Sequence, residues 1–110
     1  MKNEVLQPGN IAVIFISLRP ETSETYTFFD EATLQSASEI KGFLGWDSVR
    51  NGINGIFISY WKDEHAVEIW KNHTLHRRAK DLGKSEFYTF YRSLVTTIST
   101  VSEYQKETSF

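Results

Sequence analysis

The sequence predicts an α+β fold in which helices cover one face of an antiparallel sheet, and three features carry that prediction. Residues 11–18, IAVIFISL, are a nearly continuous apolar and β-branched run closed by Arg19 and Pro20, the composition of a strand covered on both faces. Two further strand-like segments, 43–50 and 56–61, flank the cluster NGING at 51–55, which suits the positive φ angles of a hairpin turn. Apolar residues at helical spacing follow the first strand and again follow the hairpin.

Taken in order, residues 1–10 are a polar arm that ends in the breaker cluster Pro8, Gly9 and Asn10. After the first strand, Thr22 or Ser23 can cap a helix, and Glu21 and Glu24 suit the positive end of its dipole. That helix is expected to run to about Ile40, with Phe28, Phe29, Ala32 and Ile40 on its apolar face, and to stop at Gly42. In the strand 56–61, Phe57 and Trp61 point one way while Ile56, Ile58 and Tyr60 point the other. Asp63 can cap a second helix carrying Ala66, Val67, Ile69 and Trp70, with a break near 72–74 and further turns closing at Gly83. Residues 86–101, aromatic and β-branched throughout, predict a long final strand, and 102–110 a frayed tail.

The resulting order is β-α-β-β-α-β, the ferredoxin-like split βαβ pattern. One domain over residues 11–101 is expected, between the arm and the tail. With both helices on one side, the other sheet face still carries apolar residues and needs a cover, most simply the sheet of a second copy. A homodimer, a dimeric α+β barrel, is therefore predicted.

Composition narrows the function classes. The 110 residues carry a formal charge of −2, with 24% charged residues and no run of five like charges, so nothing marks a nucleic-acid or anionic-membrane partner. Without cysteine, thiolate catalysis and Cys-ligated metals are excluded, and the redox compartment stays open. No signal-like segment begins the chain and no stretch has the roughly 18–20 apolar residues that span a bilayer; the expected location is the cytoplasm. Aromatic residues reach 15%, a share suited to lining a cavity or an interface. The glycines form no GxGxxG or Walker pattern, so nucleotide binding has no support.

Chemistry concentrates in residues 55–92, which hold all three histidines, Trp61, Trp70, Tyr60, Tyr88 and Tyr91. His73 and His76, three apart, could share one helix face, but His65 lies too far along for the same ion, so no metal site is expected. His73 reads as a surface or helix-end residue. His76 reads as a packing residue near a pocket mouth, and it is also the best acid–base candidate, since its ordinary pKa of about 6.5 lies near neutrality. Trp61 and Trp70 fit the core or a cavity wall, the core being the commoner role. Alternation along the last strand sends Tyr88 and Tyr91 to opposite layers. Arg92, among apolar neighbours, calls for a partner such as Asp47 or Glu68, in a structural ion pair or as a substrate clamp.

The segments SYW (59–61), Asp63, Ala66, Trp70, HTLHRRA (73–79), Gly83 and FYTFYR (87–92), with FLGWDSVR (43–50) before them, resemble the antibiotic biosynthesis monooxygenase family. The resemblance spans residues 11–101 and implies a dimer of ferredoxin-like subunits forming an α+β barrel. It also implies a small aromatic or apolar ligand, oxidised in some members by molecular oxygen without metal or flavin. For such a reaction His76 would be the base, Phe57, Trp61, Trp70 and Tyr88 the wall, and Tyr91 or Arg92 the donors to the developing anion. Other members bind and degrade haem, with a histidine ten positions after the helix tryptophan and an asparagine on the first strand. Here Lys80 and the apolar run 11–18 stand in those places, which disfavours haem and leaves no cofactor expected. Because many relatives have no known activity, the alternative is a non-catalytic binding or stress-response protein, with a haem-binding or haem-degrading protein less favoured.

Overall fold

The computed structural model describes residues 5–20, 31, 33–73, 81 and 88–106. Four strands, β1 (Ile11–Leu18), β2 (Phe43–Asn51), β3 (Asn54–Trp61) and β4 (Phe90–Thr97), form one sheet in the order β2-β3-β1-β4. Every neighbouring pair is antiparallel. Residues 33–38 are helical (α1), and a second helix, α2, spans Glu64–Asn72. Only β2 and β3 are joined by a hairpin, while the other two connections each pass over an intervening strand. This is the expected split βαβ arrangement, an α+β ferredoxin-like fold. The caps expected at Thr22 or Ser23, and the segment 74–80 with His76 and Lys80, lie outside the described residues.

Local chemistry sets the ends of the elements. The Asp63 carboxylate accepts from the Ala66 backbone N–H at 2.9 Å, satisfying an amide that has no partner within the first turn of α2. Gly42, at φ 101°, closes the α1 connection, and a Cβ there would come within 2.8 Å of Ala66 Cβ. Glycine is therefore required both by its backbone angle and by the nearness of α2. The carbonyl of Gly42 also accepts from Lys62 N–H at 2.7 Å, joining the start of β2 to the end of β3.

The last strand is shorter than its composition suggests. Residues 86–87 lie outside the described set, and β4 ends at Thr97 rather than continuing to Val101. Strand length follows the partner: Ile11 of β1 pairs with Thr97, and one further exchange ties Ile98 to Gly9 and Asn10 at 2.8 Å each. There Gly9, at φ 96°, turns the chain away, so residues beyond it have no strand to pair with.

Register fixes which side chains face the helices. Ile11 pairs with Trp61 and Val13 with Ser59, and Ile11, Val13 and Trp61 meet Ala37 of α1, Ile40 just beyond it, and Ala66, Val67 and Trp70 of α2 in the buried core. Trp61 is the central side chain, with 0% exposure. It stacks on Trp70 at 4.9 Å and meets Phe43 edge-on at 5.2 Å. Each indole N–H is satisfied, Trp61 donating to Ser59 Oγ at 2.9 Å and Trp70 to Ser36 Oγ at 3.1 Å. Ser36 in turn donates to the Thr33 carbonyl at 2.7 Å, so the buried polar groups cost little.

The opposite face is apolar too. Leu94, Ile14 and Ile58 form one cross-strand row, and Ile16, Ile56 and Val49 lie in the next. Exposure reaches 44% at Leu94, 42% at Phe90 and 64% at Val49, a contiguous patch of a kind that marks an interface.

Candidate functional site

Beyond the Trp61 core, the sheet and helices diverge and enclose a cavity of about 390 Å³, within the range of small-molecule sites. Val13 and Phe15 of β1, Phe57 of β3 and Trp46 of β2 form its sheet wall, and Trp70 comes from α2. Tyr88 and Tyr91 close the β4 side. The rings hold one another: Phe15 lies 5.4 Å from both Tyr88 and Tyr91, those two are 6.0 Å apart, and Trp46 stacks on Phe57 at 6.1 Å. Such offset and edge contacts stabilise rigid aromatic walls.

The cavity becomes polar toward the β2–β3 turn, where Ser17, Arg19, Ser48 and Arg50 line it. Arg50 reaches Ser17 Oγ at 3.2 Å and the Ile53 carbonyl at 3.4 Å. It gets there by crossing Gly55, its register partner on β3; a Cβ at Gly55 would lie 2.6 Å from the Arg50 Cζ. Arg19 is 2% exposed, with its guanidinium carbon 5.5 Å from the Tyr88 ring centroid. Its backbone N–H also donates to the Ile53 carbonyl, at 2.9 Å.

The predicted site residues divide. Phe57, Trp70, Tyr88 and Tyr91 line the cavity, whereas Trp61 is packed in the core behind it. Tyr88 and Tyr91 share the cavity instead of facing opposite layers, because β4 begins only at Phe90 and strand alternation does not reach back to Tyr88. Arg92 is on the other face: it pairs with Ile16, is exposed, and its guanidinium carbon lies 5.5 Å from the Phe90 ring centroid. Asp47, one of its expected partners, accepts instead from the Tyr60 hydroxyl at 2.6 Å. Burial, then this hydrogen bond and the Asp47 charge, with Glu103 adding, push the Tyr60 phenol up to about 12. His73 is at the C-terminal cap of α2, its Nε2 3.0 Å from Glu39 Oε2, the helix-end position expected of it.

Sequence reasoning missed Phe15, Trp46, Arg19 and Arg50. Phe15 was hidden in an unbroken apolar run, although its parity with Val13 marks it as helix-facing. Arg50 had a legible signal, a long cation placed opposite a glycine across a short hairpin.

Comparison with solved structures shows the fold shared with known proteins. The structure of SnoaB, a cofactor-independent oxygenase from Streptomyces nogalater, superposes with a TM-score of 0.71 at 10% identity, covering 89% of this chain and 99% of that one. A candidate antibiotic biosynthesis monooxygenase from Nitrosomonas europaea gives a TM-score of 0.64 at 11% identity, over 84% of this chain and 93% of its own. The fold is thus that of antibiotic biosynthesis monooxygenase-like proteins. No family model matches the sequence. The uncharacterised Bacillus subtilis (strain 168) protein YqjZ is 35% identical over 104 residues, 94% of this chain and 91% of YqjZ. The chain belongs to the YqjZ family.

Proposed function

We propose that this is an antibiotic biosynthesis monooxygenase-like protein whose cavity binds a small aromatic or apolar molecule and oxidises it with molecular oxygen, without a cofactor. The observation that carries the proposal is the open aromatic cavity walled by Phe15, Trp46, Phe57, Trp70, Tyr88 and Tyr91. SnoaB, described as a cofactor-independent oxygenase, supports the choice of reaction.

In such a reaction a base removes a proton from an activated phenol-like substrate, and the resulting anion reduces oxygen. The anion's ring carbon adds oxygen to form a hydroperoxide, and loss of water turns that ring C–H into C=O, so that the phenol and one O₂ yield a quinone-type product and one water. The protein's part is to orient the ring, exclude water and stabilise the anion. His76 remains the proposed base on sequence grounds. Tyr91, on the cavity wall, is the proposed donor to the anion, a role Arg92 cannot share from the far face. The apolar outer face, with Leu94, Phe90 and Val49 exposed, supports a homodimer built sheet to sheet, and the proposed location is the cytoplasm.

Oxygen uptake with phenolic and quinol substrates tests the reaction. Wild type should consume oxygen and His76→Ala should be slower by about 10²-fold or more; equal rates remove His76 as the base. Titration with haemin should leave the Soret band of free haemin unshifted. A second reading, a binding protein without catalysis, draws support from the cavity lining, where Glu31 is the one carboxylate or imidazole among the described residues. Tight binding of a phenolic ligand with no oxygen uptake in wild type would favour it.

A further inference from the structure

We propose that the ligand is an anion: an aromatic or apolar body carrying an oxyanion, such as a carboxylate or phenolate, held at the Arg19–Arg50 end of the cavity. The inference rests on reading the cavity as a ligand site. Among the described lining residues the charged groups are Arg19, Arg50, Lys71 and Glu31, a positive excess in a chain whose overall charge is −2. The Arg19 backbone N–H and the Arg50 guanidinium donate to the same carbonyl, that of Ile53, so the two residues neighbour each other beside the β2–β3 turn, with the Arg19 guanidinium against the Tyr88 ring.

Two details show that this end is built. Arg19 is 2% exposed, and a cation withdrawn from water is retained only where hydrogen bonds and charges compensate it. Arg50 is brought inward by Gly55, whose missing Cβ leaves the space its guanidinium fills. No positive φ requires glycine at this position, so the space itself is the reason. A guanidinium presents a planar fork that matches a carboxylate with two parallel N–H donors, and within low-dielectric aromatic walls such a bond gains strength. The result is a site with an apolar body and a cationic end, which selects an amphipathic anion over its neutral analogue.

Calorimetric titration with 2-naphthoate and with 2-naphthalenemethanol tests this, since the two share a ring system and differ in charge. Naphthoate should bind wild type about tenfold or more tightly than the alcohol, a ratio expected for a charge-assisted pair. Arg50→Met and Gly55→Ala should each remove most of that advantage while leaving the alcohol's affinity within about twofold. Gly55→Ala is the second probe because it displaces the end of a flexible side chain without changing any charge, and circular dichroism confirms that each variant is folded. Equal binding of the two ligands to wild type overturns the anion inference and leaves the cavity reading standing. So does an undiminished naphthoate advantage in both variants. No binding of either ligand at millimolar concentration overturns both.

Discussion

Trp61→Phe separates core from site most sharply, because the sequence leaves Trp61 between core and cavity wall and the structure places it in the core. Phenylalanine keeps a ring between Phe43 and Trp70 but removes the indole N–H that Ser59 Oγ accepts. Ser59 is itself fully buried, and a buried polar group that loses its partner costs about 1–3 kcal/mol. The volume lost from a close-packed position adds about 1 kcal/mol. A total near 2–4 kcal/mol is a large part of the roughly 5–15 kcal/mol that stabilises a domain of this size. With an unfolding entropy of about 2.1 cal/mol/K per residue, it lowers Tm by about 9–17 °C. Melting should be followed by circular dichroism at one fixed protein concentration, since any dimer makes Tm depend on it. Below the transition, the variant should bind 2-naphthoate within about twofold of wild type, whereas Trp70→Phe should weaken that binding. If Trp61→Phe melts with wild type yet loses binding, Trp61 is a wall residue and the division drawn here is wrong.

Gly42→Ala should destabilise by at least about 1–3 kcal/mol, the cost of a non-glycine residue at a strained positive φ, to which contact with Ala66 adds; an unchanged urea midpoint would contradict this. Tyr60 is held as the neutral phenol, with its pKa raised from 10.0 to about 12. Its contribution to stability is therefore complete below pH 10 and is lost as pH rises through about 12. Urea midpoints between pH 8 and 12 should fall more steeply for wild type than for Tyr60→Phe, and parallel curves would refute the coupling. Leu94→Glu puts a charge on the apolar outer face, and sedimentation at micromolar concentration should show a dimer for wild type and a monomer for the variant. A monomeric wild type would remove the sheet-to-sheet assembly.

The fold was legible because its signals are local. The β-branched run 11–18, the NGING turn, the Asp63 cap and Gly42 each act through backbone geometry within a few residues of themselves. The site was legible only in part. Phe57 and Trp70 follow from alternation and helical spacing, but Arg50 reaches the cavity by crossing another strand, a placement set by pairing register. Tyr88 was misassigned because strand composition extends beyond the point where β1 can pair with it. Arg92 illustrates the same limit from the other side: its spacing is correct for a strand, yet facing depends on which layer Ile16 occupies.

The parity of β1 has one more consequence. Val13, Phe15 and Ser17 turn to the helices while Ile14 and Ile16 turn to the outer face, so cavity and outer patch are written on alternate letters of a single central strand. A point substitution there edits one surface and spares the other. Insertion of a single residue between Val13 and Ile14 would exchange the two linings from there on, setting Ile14 and Ile16 against the helices and turning Phe15 outward. That strand should therefore accept changes of letter far more readily than changes of length.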